Sequence, residues 1–182
     1  MQAEEMVTRR RLRYNITINA TGFSEFECCS FGNTKVTAIY LNNCPQLEKL
    51  DCWDNELTSL DISRCTSLKH LNCGKNKLTS LDISKNIVLE YLSCKNNLLT
   101  CLDISQNLML RDVDCSRNQL FVLNVNRNSA IERVICNNNR LSKLELEMIF
   151  FHLPKYDSSS GSVYANYLGS RIGVTIIFFY LW

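Results

Sequence analysis

Apolar residues return along the middle of this chain at a fixed interval of 21 positions. Aligned on that interval without a gap, the chain reads LEKLDCWDNELTSLDISRCTS from Leu47, LKHLNCGKNKLTSLDISKNIV from Leu68 and LEYLSCKNNLLTCLDISQNLM from Leu89. It continues as LRDVDCSRNQLFVLNVNRNSA from Leu110 and IERVICNNNRLSKLELEMIFF from Ile131. Positions 1, 4, 6, 11, 14 and 16 of each unit are apolar. Position 4 is Leu50, Leu71, Leu92, Val113 and Val134; position 14 is Leu60, Leu81, Leu102, Leu123 and Leu144. A fixed period of this length predicts a solenoid, in which no unit can bury its apolar face alone and stacking makes a continuous core. In a strand, residues two apart share a face. Positions 4 and 6 therefore point inward and position 5 points to water.

A second rhythm lies inside the first. L-x-x-L-x-C-x-x-N fills positions 1 to 9, and a near copy, L-x-x-L-x-I-x-x-N, starts at position 11. Ten or eleven residues per half leave little room beyond a strand and its turn, so a long helix per repeat does not fit. The pattern predicts a flattened coil with parallel strands on both faces, or with a strand on one face and an extended segment on the other. Position 9 is Asn in all five coils: Asn55, Asn76, Asn97, Asn118 and Asn139. Position 19 is Asn86, Asn107 and Asn128, with Cys65 as the exception. Sharp corners free backbone N–H and C=O groups, and an Asn amide both donates and accepts. Stacked columns of Asn are expected to satisfy the corners. An earlier, degenerate coil is expected from Phe26, with Val36, Ile39 and Leu41 on positions 11, 14 and 16.

The stack needs covers, because open ends expose apolar residues and unpaired strand edges. Tyr14–Ala20 reads as a strand over the first coil. At the other end Leu146, Ile149, Phe150 and Leu153 follow helical spacing, and Pro154 stops the run. This predicts a capping helix over Glu145–Leu153. Ser158-Ser159-Ser160-Gly161 reads as a turn, and Ser162–Leu168 and Gly173–Tyr180 as strands. The organisation expected is an N-terminal capping segment over residues 1–25, repeats over 26–148 and a C-terminal cap over 149–182.

Five of the ten cysteines form position 6: Cys52, Cys73, Cys94, Cys115 and Cys136. A line of thiols roughly 5 Å apart neither converges on a metal nor matches the Cβ spacing of a disulfide. They read as small buried apolar groups under the strand. Cys28, Cys29, Cys44, Cys65 and Cys101 lie off this column.

The consensus L-x-x-L-x-C-x-x-N-x-L-T-x-L-D-I-S-x-N resembles leucine-rich repeats. It is most similar to the short 21-residue bacterial class called IRREKO, over about Leu47 to Leu146. The resemblance implies a right-handed solenoid with a parallel sheet. It also implies a bacterial surface or secreted protein that acts by binding other proteins.

Bulk properties narrow the function. The chain has 182 residues, 46% of them hydrophobic, and a net charge of +2 from 20 basic and 18 acidic side chains. That balance gives no reason to expect nucleic acid as a partner. Arg9, Arg10, Arg11 and Arg13 make a short basic cluster that reads as a solvated terminal segment. Residues 1–20 have no secretory leader pattern, and the apolar Ile172–Trp182 is shorter than the roughly 20 residues of a membrane helix. No membrane insertion is expected. Asn15-Ile16-Thr17 and Asn19-Ala20-Thr21 match the glycosylation pattern, which has force only in a secreted eukaryotic protein. Two histidines, no phosphate-binding glycine loop and no G-x-S-x-G or H-E-x-x-H argue against an enzyme, and no cofactor is implied.

The residues expected to bind a protein partner lie on the outward face of the strand: Lys49, Asp51, Trp53, His70, Asn72, Tyr91, Lys95, Asp112, Asp114 and Arg133. Mixed charge with aromatic anchors suits a protein interface. A structural spacer in a larger surface protein is the alternative. The opposite face carries a row at position 15, Asp61, Asp82, Asp103, Asn124 and Glu145, beside Ser63, Ser84 and Ser105. Stacked like charges repel, so the row is either screened by solvent or bridged by a cation such as calcium.

Overall fold

The computed structural model describes residues 13–18, 24–27, 35–41, 44–152, 165–168 and 173–176. Six three-residue strands form one parallel sheet, in which each strand is the start of a coil. They are β2 (Glu25–Glu27), β4 (Lys49–Asp51), β5 (His70–Asn72), β6 (Tyr91–Ser93), β7 (Asp112–Asp114) and β8 (Arg133–Ile135), paired in that order. The register is in phase with the repeat: Leu50 faces Leu71, Leu71 faces Leu92, and Leu92 faces Val113. Phe26 faces Leu50, so the degenerate first coil joins the sheet. Strand β1 (Arg13–Ile18) pairs in parallel with β3 (Lys35–Leu41), which is the cover expected on the first coil.

Position 1 and position 4 leucines are fully buried, and positions 6, 11 and 16 complete one core running the length of the stack. Val36, Ile39 and Leu41 are buried in the same core. The far side of the first four regular coils has no strand, and positions 13 to 16 there have no regular secondary structure; in the fifth coil these positions fall in the helix Lys143–His152. The second of the two coil shapes allowed by the sequence is therefore the one adopted. Strand β3 is the exception, and its partner is β1 rather than a neighbouring coil.

The corners are held by asparagine. At position 9, Asn97 Nδ2 donates to the carbonyls of Cys73 and Cys94 at 3.0 Å each, and its Oδ1 accepts from Leu78 N–H at 3.0 Å. Asn76, Asn118 and Asn139 repeat this pattern across coils, and Asn55 Oδ1 accepts from Val36 N–H at 2.9 Å. At position 19, Asn86, Asn107 and Asn128 each donate to two carbonyls of the preceding coil. The two columns differ in one respect: Oδ1 of Asn86, Asn107 and Asn128 is buried with no donor among the described residues.

The turn also needs a left-handed residue. Position 8 is Asp54, Lys75, Asn96, Arg117 and Asn138, with φ of 58°, 53°, 57°, 54° and 56°. A non-glycine residue there costs about 1–2 kcal/mol, least for Asn and Asp. The conformation aims each N–H at the next coil: Lys75 donates to Lys95 O and Asn96 to Ser116 O, both at 2.8 Å.

Helix α1 (Lys143–His152) closes the described part of the stack. It begins two residues before the expected Glu145, because Ser142 Oγ accepts from Glu145 N–H at 3.2 Å and caps the first turn. The early start turns Leu144 out of the position 14 column; it is 67% exposed, whereas Leu60, Leu81, Leu102 and Leu123 are buried. Leu146 and Ile149 face the core as their spacing predicts. Beyond the helix, β9 (Ala165–Leu168) and β10 (Gly173–Ile176) pair antiparallel. The expected turn over residues 158–161 and the apolar finish at 177–182 lie outside the described residues.

The position 6 thiols are all buried. Burial pushes those of Cys73 and Cys136 up to about 12. Cys65 is also raised to about 12, first by burial and then by the neighbouring Cys44 thiol. Cys101 alone among the eight described cysteines is exposed. Thiolate is the reactive form, so brief iodoacetamide labelling followed by peptide mapping should modify Cys101 and spare Cys52, Cys73, Cys94, Cys115 and Cys136. Labelling of the five at the Cys101 rate in native protein would overturn the buried ladder.

Candidate functional site

The outward face of the six-stranded sheet gathers the ten candidate residues in rows. Position 3 supplies Lys49, His70, Tyr91, Asp112 and Arg133, each half-buried or less, at one strand spacing from the next. His70 and Tyr91 stack face to face, with ring centroids 4.1 Å apart and planes within 4°. Burial and then the Lys49 charge hold His70 below its ordinary value, so its neutral form is favoured. Burial and then Asp112 raise Tyr91. Next in the row, Arg133 Nε donates to Asp112 Oδ2 at 2.9 Å. At the opposite end Lys49 pairs with Glu27 at 2.7 Å.

Position 5 lies deeper than period-2 reasoning places it. Asp51 and Asn72 are half-buried and joined by a 3.1 Å hydrogen bond, but Ser93 and Asp114 are buried. The inward sink of Asp114 has a local cause. Its Oδ1 accepts from both Ser116 N–H and Ser116 Oγ–H, at 3.1 and 2.6 Å, and Lys95 lies 3.7 Å from its other oxygen. Asp114 thus supports the face rather than presenting a free carboxylate, and Lys95 is the group that reaches solvent. Trp53, at position 7, is half-buried under Lys75, whose ammonium sits 4.8 Å from the ring centroid.

Sequence reasoning missed two contributors. Gly74 is the position 7 neighbour of Trp53; a Cβ there would come within 3.0 Å of Trp53 Cδ1 and 3.2 Å of the Lys95 carbonyl oxygen. The missing side chain leaves room for the edge of the indole. The second is charge alternation at position 2, which reads Glu48, Lys69, Glu90, Arg111 and Glu132. Lys69 pairs with Glu48 at 2.9 Å and Arg111 with Glu132 at 3.1 Å. Opposite charges on adjacent strands stabilise a sheet, and like charges would split it. That alternation was visible in the sequence once position 2 was read down the column.

On the far side, the carboxylates of position 15 have a local role. Oδ1 of Asp61, Asp82 and Asp103 accepts from the N–H of Ser63, Ser84 and Ser105 at 3.0, 2.9 and 2.8 Å. These bonds to serine hold all three carboxyls below their ordinary range. The D-x-S spacing is the signature of such a turn. Among the described residues no three His, Cys, Asp or Glu side chains converge to hold a metal ion. His70 and Cys73, the nearest approach to a nucleophile and base, lie on opposite sides of the strand.

Residues 45–86 match the family described as Leucine Rich repeats (2 copies). The stack has the fold of a leucine-rich-repeat solenoid. Among solved structures, the repeats are similar to the functional domain of InlJ from Listeria monocytogenes, which includes a cysteine ladder. The match has 34% identity and a TM-score of 0.64, over 76% of this chain and 31% of that one. They also share their fold with the leucine-rich-repeat protein LIC12759 of Leptospira interrogans, at 19% identity and a TM-score of 0.59, over 65% of this chain and 32% of that one. An internalin, InlF, of Listeria monocytogenes matches at 13% identity and a TM-score of 0.54, over 66% of this chain and 39% of that one. The chain therefore spans about a third of the length of these structures. No curated protein sequence matches it. None of the described helices is long and apolar enough to cross a membrane.

Proposed function

We propose that this leucine-rich-repeat stack is a non-enzymatic recognition module that binds a protein partner across its strand face. The observation that carries the reading is the preorganised aromatic group: Trp53 under Lys75, and His70 stacked on Tyr91. Rigid aromatic side chains held before contact lose little conformational freedom on binding, and such residues dominate interface energetics. Around them lies a polar rim whose members already have partners: Lys49 pairs with Glu27, Lys95 lies against Asp114, Arg133 pairs with Asp112, and Asn72 donates to Asp51. A partner meets a fixed pattern of potential, which favours specificity over raw affinity.

The nested L-x-x-L-x-C-x-x-N pattern, in register five times, supports assignment to the 21-residue IRREKO class. Likeness to InlJ and the other bacterial repeat structures supports a place in a bacterial surface or secreted protein. Within it, residues 26–148 are the recognition unit, flanked by caps at 1–25 and 149–182.

The test is a pull-down with the full chain, followed by titration of the captured protein. Trp53→Ala and Tyr91→Ala should each weaken binding at least about tenfold, equivalent to about 1.4 kcal/mol. Arg111→Ala, which removes a position 2 pair off the aromatic group, should change it little. Binding that survives both aromatic substitutions removes the strand face from consideration. A chain that captures no partner would point instead to a structural spacer.

A further inference from the structure

The repeat supplies an internal control for what a surface position requires. The turn that ends each coil is made with the same two hydrogen bonds in four successive coils. The N–H of position 19 donates to the carbonyl of position 16 at 3.0 Å, and the next position 1 N–H donates to the carbonyl of position 19 at 3.1 Å. The first coil builds this turn with Thr66-Ser67 and the fourth with Ser129-Ala130. The second and third place Ile87-Val88 and Leu108-Met109 at the same two positions. Turn geometry therefore does not call for apolar residues there. The core does not use them either, since Ile87, Leu108 and Met109 are 58%, 52% and 58% exposed. Ile87 and Leu108 hold equivalent positions on adjacent coils, and Met109 follows Leu108, so the three make one patch at one strand spacing. Contiguous exposed apolar surface with a polar surround is characteristic of a contact site.

The charges that immediately precede the patch in the sequence are cationic. Position 18, just before the patch in each coil, is Arg64, Lys85, Gln106 and Arg127, with no carboxylate among them. The three cations make no salt bridge among the described residues. They lie near the position 15 aspartates, whose carboxyls they help to lower. On the other side, position 2 contributes Lys69, Glu90 and Arg111, and the two cations are paired with Glu48 and Glu132. The cations free to meet a partner are those of position 18.

We propose that Ile87, Leu108 and Met109 form a second contact patch that receives an acidic, amphipathic polypeptide segment. Its apolar side chains would rest on the patch and its Asp or Glu carboxylates on Lys85 and Arg127. The patch lies around the turn from the strand face and does not depend on the reading of that face.

The test uses random dodecapeptides displayed on phage. They are selected on the full chain and counter-selected on the variant Ile87→Thr/Leu108→Thr/Met109→Ser, which carries the residues of the first coil's turn. The expected result is a patch-dependent set in which Leu, Ile or Phe stands beside Asp or Glu. A synthetic peptide of that consensus should lose at least tenfold in affinity for the triple variant and several-fold for Lys85→Glu, while Trp53→Ala leaves it unchanged. Lys85→Glu keeps the test decisive if the triple variant folds poorly. Absence of patch-dependent peptides, or a basic consensus, would overturn the proposal. So would sedimentation velocity showing that the patch instead joins two copies of this chain. Retention on phosphatidylglycerol vesicles that the triple variant loses would overturn it in favour of a lipid surface.

Discussion

Leu92→Ala is expected to destabilise the protein by about 2–5 kcal/mol, read as a fall in the urea unfolding midpoint. Leu92 is fully buried at position 4 of the central coil, between Leu71 and Val113 in register. The strands on both sides are fixed by main-chain bonds, as where Glu90 N–H donates to Lys69 O at 2.8 Å. The walls of the resulting void therefore cannot close, which places the loss toward the upper end of that range. Leu144→Ala is the matched comparison. By sequence pattern Leu144 belongs to an inward column too, yet it is 67% exposed on α1. Its loss should stay within about 0.5 kcal/mol. Equal losses at the two sites would mean that burial does not follow the arrangement described.

Asn97→Ala is expected to cost about 1–3 kcal/mol, and most of that can be assigned to one group. The carbonyl of Cys73 keeps a second donor in Asn76 Nδ2, and that of Cys94 keeps one in Asn118 Nδ2, at 3.0 Å in both cases. Leu78 N–H has Asn97 Oδ1 as its partner and would be left buried without an acceptor. Asn97→Asp separates the roles further. A carboxylate still accepts from Leu78 but sets negative charge against the Cys73 and Cys94 carbonyls. Its pKa in the folded state should therefore be raised. A raised carboxyl pKa leaves the folded state intact below the unfolded value of about 3.9, and stability falls as pH rises through the folded value. Urea midpoints of the Asp variant should thus exceed those of wild type at no pH, but approach them in acid. A variant as stable as wild type at pH 7 would remove the asparagine column from the account.

Much of this molecule was legible because one constraint repeats. Leu50, Leu71 and Leu92 had to stack if the period meant anything, and the position 9 asparagines had to meet the corners they mark. The errors fall where a local interaction competes with the period. Leu144 fits the column, but the Ser142 cap with Glu145 three residues on starts a helix first; that S-x-x-E signal was present and outweighed by the repeat. Asp114 fits an outward row, but a serine two residues later draws its carboxylate in. Lys75 over Trp53 and the space left by Gly74 depend on the exact left-handed turn at position 8. No alternation of polar and apolar residues encodes that turn, since Asp, Lys, Asn and Arg all occupy it. The row at position 15 left solvent screening and a bridging cation both open, and the D-x-S turn gives Asp61, Asp82 and Asp103 a partner within their own coil.

The bonds by which Asn76, Asn97 and Asn118 leave their own coil join residues 19 or 24 apart in the sequence, and so reach only the adjoining coil. Cohesion is therefore handed from neighbour to neighbour, as in a one-dimensional lattice. Pulled by its two ends, such a column bears the load in series, and its weakest junction yields first. Between the Ile87 and Leu108 turns and the polar turns outside them, the column could gain or lose a whole 21-residue unit and still close its remaining joints.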